Sequence, residues 1–261
     1  MKNNMRAFRS FFKKELTAQA RTGKIAILFT VFILLAVMAP VITILLPKLL
    51  STLGSSNVGG MTITVGEVTA VNSWEQFFGN ASMAMIVFLI MEMSIYTKEY
   101  TTGTLVMVLT KGLPRKTALI SKALILTLMW TALWWTGFLV TYIITAVKWN
   151  GETVNDLIFA SFCWWLFGLM MTELLTLFSA VAKTGTGVMA GLGAAFFGSM
   201  MISSVPVIKD YVPSKLMDAV SLLHGSSPVS DYLPAVIATA VITVAAPIAG
   251  KILFDKKALV S

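Results

Sequence analysis

The sequence predicts an all-α integral membrane protein with six transmembrane helices, and three observations carry that prediction. Hydrophobic residues make up 57% of the chain and charged residues only 12%, and the mean hydropathy is +0.83. The apolar residues gather into six runs that approach or exceed the roughly 20 residues a helix needs to cross a bilayer core. The lysines and arginines are divided unequally between the segments that join those runs. A soluble core helix would be shorter or would carry a polar stripe, and most of these runs have none.

In chain order, residues 1–24 form a basic amphipathic stretch. Phe8, Phe11, Phe12 and Leu16 recur at helical spacing, while Arg9, Lys13, Lys14 and Arg21 surround them. This pattern predicts a helix lying in the membrane interface, cations toward anionic headgroups. An ordinary basic tail would satisfy the same charge asymmetry. The first span, 25–46, is longer than the apolar region of a signal peptide and is read as uncleaved. Residues 48–79 are rich in Gly, Ser and Thr, with Gly59-Gly60 as a turn signal and MTITV at 61–65 compatible with a short strand. The second span, 80–96, is short, so it stands near the bilayer normal or continues into flanking polar turns. The remaining spans are 123–147, 157–181, 186–208 and 233–254. Before the last of these, Pro206, Pro213, Pro228 and Pro234 punctuate a segment whose centre, LMDAVSLL at 216–223, is apolar enough for a short helix. Broken backbone at membrane depth is tolerated only where protein buries it, so 206–232 is expected to cap the bundle from the outer leaflet. No segment outside the spans exceeds about 35 residues, which leaves a single transmembrane domain over 1–261 and no soluble one.

Orientation follows from the cations. With the N-terminus inside, the inner segments hold sixteen of the 20 lysines and arginines, and only Lys48, Lys148, Lys209 and Lys215 fall outside. Positive-inside topology predicts this for an even number of spans, with both termini cytoplasmic. The net charge of +8 is thereby explained without nucleic acid. The expected location is a bacterial cell membrane.

Enzymatic equipment is sparse. The single histidine, His224, lies in an outer segment, and the single cysteine, Cys163, sits inside the fourth span. Neither a disulfide nor an HExxH zinc site can be assembled from them, and no metal site is expected. AKTGTGV at 182–188 lacks the G-x-x-x-x-G-K-[ST] spacing of a phosphate loop. No catalytic residues are assigned. Two carboxylates, Glu92 and Glu173, fall within apolar runs. A charge at the bilayer centre costs roughly 3 kcal/mol or more, so each is a functional-site candidate. Glu92 lies about one turn from the cytoplasmic boundary, where solvation would also account for it. Glu173 is deeper, suited to substrate passage, to proton coupling or to hydrogen bonding between spans as a neutral acid. Trp130, Trp134-Trp135 and Trp164-Trp165 lie well inside their runs and suit lipid-facing or interhelical packing, or a hydrophobic path. Gly187, Gly191, Ala194 and Gly198 place small residues along one stripe of the fifth span, for packing within the bundle or against a second copy.

The most informative segment is 98–122. It carries Lys98, Lys111, Arg115, Lys116 and Lys122, with Leu105 and Leu109 four residues apart and Pro114 as a break. Glu99, Gly103-Thr104-Leu105, Leu109, Pro114-Arg115 and Lys122 resemble the pattern of permease subunits of ABC-2-type transporters. Lys14-Glu15-Leu16 in the basic N-terminus resembles that family's connecting helix, and six spans with a broken outer segment extend the likeness over the chain. The resemblance implies that 97–122 forms a cytoplasmic coupling helix docking into an ATPase groove, its contacts being Glu99, Gly103, Thr104, Leu105, Leu109, Pro114, Arg115 and Lys122. It implies two cytoplasmic ATPase subunits, a second permease chain identical or related to this one, and ATP with magnesium held by the partner rather than by this chain. Export is the family's usual direction. The large outer domain of some members is absent, and the Lys111-Gly112-Leu113 link is idiosyncratic. A short outer region and tryptophan-rich spans favour a lipid, amphipathic peptide or drug as cargo. Two other readings stand beside this one: an ion-coupled secondary transporter using Glu92 and Glu173, and a membrane immunity protein that transports nothing.

Overall fold

A computed structural model describes the backbone of residues 2–54, 67–101, 115–150, 152–182 and 184–256, and the side chains of 8–49, 67–97, 117–150, 152–182 and 184–254. Among these residues the chain is helical with no strand; the strand considered at 61–65 lies outside them. The helices are α1 (Lys2–Arg21), α2 (Lys24–Gly54), α3 (Ala70–Glu92), α4 (Ser94–Thr101), α5 (Arg115–Lys148), α6 (Leu157–Val181), α7 (Gly185–Ser203), the short α8 (Ala219–Leu223) and α9 (Leu233–Lys256). Six of them provide stretches long and apolar enough to cross a membrane, so this is a multi-pass membrane protein.

The second span is longer than hydropathy suggested. Helix α3 begins at Ala70, ten residues before the apolar run, because Trp74, Phe77 and Phe78 turn inward while Asn72, Glu75 and Gln76 interrupt the run on the other faces. Its first N–H groups are satisfied from nearby: Thr69 N–H donates to Asn72 Oδ1 (3.0 Å) and Ala70 N–H to Glu152 Oε2 (2.6 Å). The third span likewise starts early, so that residues 115–122 belong to α5. The fifth stops at Ser203, short of Pro206. The stretch 216–223 is divided at Asp218, whose Oδ1 accepts from Ser221 N–H and caps α8. Leu216, Leu222 and Leu223 are buried against the bundle, and Trp164 Nε1 donates to Met217 O at 3.1 Å.

Contacts at both ends show that α2, α3, α5 and α6 alternate in direction. One end joins Lys24 to Met91 and Lys122 to Ile95; the other joins Thr43 to Asn72 and Ser73 to Thr145. Pairing Glu173 with Thr127 and Ser161 with Trp134, α6 runs opposite to α5. Helix α6 is the central span and is the most buried, whereas α7 and α9 are peripheral and leave most of their apolar surface uncovered. Where the backbone lacks a donor, a side chain replaces it. Pro40 cannot bond to the carbonyl of Ala36 four residues earlier, and Thr141 Oγ1 from α5 donates to that oxygen at 2.9 Å.

The tryptophans bind α5 to α6. Trp130 Nε1 donates to Trp165 O (3.0 Å), Trp134 Nε1 to Ser161 O (3.1 Å), and Trp165 Nε1 to Thr131 Oγ1 (3.1 Å). The Trp134 ring stacks on Trp130 and on Trp164, with centroids 5.7 and 6.2 Å away. Interhelical packing is thus what Trp130, Trp134, Trp164 and Trp165 do, while Trp135 meets Phe138 of its own helix. A Cβ at Gly168 would fall inside the Trp130 ring, so α5 and α6 approach as closely as they do only because that position has no side chain. Gly168→Ala is therefore expected to lower the stability of the detergent-solubilised chain by about 1–3 kcal/mol or more. Gly193→Ala, which meets open space, is the control and should leave the thermal unfolding midpoint unchanged or slightly raised.

Candidate functional site

The site lies where α1 meets the end of α3, the start of α5 and helix α4. Helix α1 ends at a turn in which Gly23 takes φ 73°, a left-handed conformation that favours glycine. That turn sends the chain into α2 and lets α1 return across the bundle. The face it presents inward is Phe11, Glu15 and Gln19, at i, i+4 and i+8; all three are buried. Leu16, which the sequence grouped with the apolar stripe, is 42% exposed. The inward face is selected by polar partners rather than by apolarity alone.

Those partners are buried ions. Lys122 on α5 is 2% exposed. Its ammonium donates to Glu15 Oε2 at 2.8 Å and to Ile95 O at 2.9 Å, with the rings of Phe11 and Tyr96 at 6.0 and 5.7 Å. Lys14 approaches the other oxygen of Glu15 at 3.2 Å. Burial alone would push the Glu15 carboxyl up, but the Lys122 ammonium and its hydrogen bond, with Lys14 behind them, hold it below the ordinary carboxylate value.

One turn further along α1, Gln19 Nε2 donates to Glu92 Oε2 at 2.8 Å. Lys24 lies 3.8 Å from Glu92 Oε1 and donates to Met91 O at 2.6 Å, which satisfies a terminal carbonyl of α3. Glu92 is fully buried. Solvation at the boundary therefore does not account for it; an amide and an ammonium do. Tyr96 extends the junction to α5 and α6, donating to Leu119 O (3.2 Å) and facing Thr176 Oγ1 (3.3 Å).

The remaining expected site residues fall in different places. Gly103, Thr104, Leu105, Leu109 and Pro114 lie outside the described residues, as do the side chains of Glu99 and Arg115, whose backbones are helical in α4 and α5. The resemblance places Lys122 among the contacts to an ATPase groove. It is instead engaged inside the chain, because an ammonium this deep needs the carboxylate of α1. Glu173 lies in α6, eight residues from Val181, or roughly 12 Å along the axis. Thr127 Oγ1 donates to its Oε1 at 2.6 Å, while its Oε2 is buried with no hydrogen-bond partner among the described residues. On the fifth span, a Cβ at Gly191 would sit 2.6 Å from the Phe178 ring, so this one position makes a close approach to α6. Gly187 and Ala194 are exposed and Gly198 faces open space. Cys163 is buried, and His224 Nε2 faces Glu75 Oε1. Among the described residues, no three His, Cys, Asp or Glu side chains gather closely enough to hold a metal.

No family model and no curated protein matches this chain. The junction is partly legible in sequence: Glu92 stands out within an apolar run and Lys122 at the edge of another, but nothing local points to Glu15, Gln19 and Lys24 as their partners. The only available signal was a carboxylate and an amide four residues apart on the face that also carries Phe11.

Breaking a buried pair by removing one partner costs about 3–5 kcal/mol. Lys122→Met should therefore loosen α1, seen as faster backbone hydrogen exchange over residues 8–21, and Glu15→Gln added to it should restore part of the protection. Because the Glu15 carboxyl is held below its unfolded value, its contribution is complete above the ordinary carboxylate range and is lost as pH falls through the lowered value. The protection of α1 relative to the intrinsic exchange rate at each pH should fall on acidification in the wild type, and Glu15→Gln should remove that fall.

Proposed function

We propose that this chain is the membrane-spanning permease subunit of an ATP-binding-cassette transporter, exporting a hydrophobic or amphipathic cargo with energy from a separate cytoplasmic ATPase. The end of the bundle carrying α1 is then the cytoplasmic side, with α1 along the interface and segment 97–122 as the coupling region. The observation that carries this reading is the ionic junction. Glu15–Lys122 fastens α1 to α5, which follows residues 102–114, and Gln19–Glu92–Lys24 fastens it to the end of α3, which leads through α4 into them.

A docking segment transmits force only if its roots are rigidly attached to the spans. Lys122 is bonded at once to α1 and to α4, so displacement of the segment pulls on α1, α3 and α5 together. Leu105 and Leu109 would supply apolar anchors for the ATPase groove, with surrounding cations steering the encounter. ATP and magnesium would belong to the ATPase. Two permease chains, identical or related, would complete the transporter within the lipid.

The test is affinity capture of the tagged chain from its native membrane in mild detergent. A stoichiometric soluble ATPase should come with it, and Leu109→Asp should weaken that association by about 2 kcal/mol or more while the chain remains inserted. Retained association in Leu109→Asp would remove the coupling role of this segment.

Glu173 favours a second reading, since among the described residues one of its carboxylate oxygens is buried inside a span with no hydrogen-bond partner and, unlike that of Glu92, no ammonium beside it. As an ion-coupled transporter, the chain alone in proteoliposomes would carry a proton flux, and Glu173→Gln would abolish it. Absence of flux in the wild type would leave Glu173 as a link between α5 and α6 through Thr127.

A further inference from the structure

At the end of the bundle opposite α1, a cleft of about 930 Å³ opens between α5, α6 and the start of α3. Three of its aromatic residues, Trp135, Tyr142 and Trp149, recur every seven residues, so they form one stripe along α5 and the turn that ends it. From Trp149 to Trp135 this stripe runs roughly 20 Å. Phe162 of α6 belongs to the facing wall. Trp149 is held in place by donating Nε1 to Val68 O at 2.8 Å. Tyr142 is 50% exposed, so its ring is open to an occupant.

The mouth has a charge of one sign. Glu152 and Asp156 line it, and among the described residues that line it there is no Lys, Arg or His. Glu152 uses Oε2 to accept from Ala70 N–H at the start of α3. Asp156 stands immediately before α6, where an aspartate ordinarily caps the helix through its side chain. It makes no such bond, and its residue lines the cleft.

These features select a ligand class. An anion would meet two carboxylates. A purely apolar chain would fill the aromatic stripe and leave both carboxylates unanswered. A small inorganic cation would leave the long aromatic wall unused. A cationic head on an apolar tail answers both, because ammonium groups are attracted to aromatic faces as well as to carboxylates. We propose that this cleft binds an amphipathic ammonium, its head between Glu152, Asp156 and Trp149 and its tail along Tyr142, Trp135 and Phe162. The ammonium belongs either to a lipid headgroup or to a free amphiphile. As a cargo site this deepens the transporter reading and rests on it; as a binding site it needs this chain alone.

The test uses the full chain in nanodiscs of digalactosyldiacylglycerol, a neutral lipid without an ammonium. Radiolabelled dodecyltrimethylammonium is the probe, read by scintillation proximity. The expected result is saturable binding displaced by the unlabelled compound and not by dodecyl sulfate or dodecyl maltoside. Asp156→Asn, which keeps a residue tolerant of the left-handed φ of 44° at this position, and Glu152→Gln, which keeps an acceptor for Ala70, should each weaken binding about tenfold. Absence of saturable binding overturns the proposal. So does equal displacement by dodecyl maltoside with both variants unchanged, since the cleft then takes apolar tails only. Nanodiscs doped with phosphatidylcholine separate the sources: loss of probe binding identifies the lipid headgroup, and retention identifies a free amphiphile. If ATPase capture fails while this binding holds, the transporter reading falls and the site stands.

Discussion

The ammonium of Lys122 is the constraint from which the α1 end of the molecule follows. An ion buried to this degree loses its hydration and must find a counter-charge and acceptors within the chain. One acceptor, Ile95 O, comes from α4, but the carboxylate comes from α1, which is remote in sequence. Helix α1 must therefore lie with Glu15 inward, and helical periodicity then brings Gln19 inward one turn later, where it meets the buried Glu92. Lys24, just after the turn, adds its charge to the same carboxylate. Charge, helical spacing and the Gly23 turn together convert an amphipathic leader into a structural part of the bundle.

Within the spans a different constraint operates. Lipid tails are as apolar as leucine, so hydrophobic contact does not by itself prefer another helix to lipid. What distinguishes the α5–α6 interface is close approach and polar satisfaction. Gly168 admits the Trp130 ring, and the indole N–H groups of Trp130 and Trp134 find carbonyls across the interface. Thr141 answering Ala36 opposite Pro40 follows the same rule, since an orphaned carbonyl costs more in hydrocarbon than in water.

The two ends differ in their chemistry. One concentrates lysines and carboxylates into a junction with little exposure, which suits rigid attachment of a neighbouring segment. The other has an aromatic cleft with an acidic mouth and a broken segment covering the ends of α6 and α9. Between them, α7 and α9 expose Phe197, Met201, Ile237, Val241 and Val244, which is unremarkable for surfaces facing lipid or a second chain.

Composition and hydropathy by themselves determined that the chain is helical and multi-pass, and located all six spans, because a bilayer demands long apolar helices whatever they pack against. They misplaced the start of α3, since Asn72, Glu75 and Gln76 lower the average while Trp74 and Phe78 still bury one face. They also marked Glu92 and Lys122 without pairing them. Which carboxylate meets which ammonium depends on how α1 crosses the bundle, and partners 107 positions apart, such as Glu15 and Lys122, leave no local signature. Nor does spacing along one helix say which face turns inward: the stripe from Gly187 to Gly198 uses only Gly191 for a close approach to α6, through Phe178. Local periodicity and the cost of burying backbone in lipid set the elements; long-range ion pairing and the close approach of α5 to α6 decided what those elements hold together.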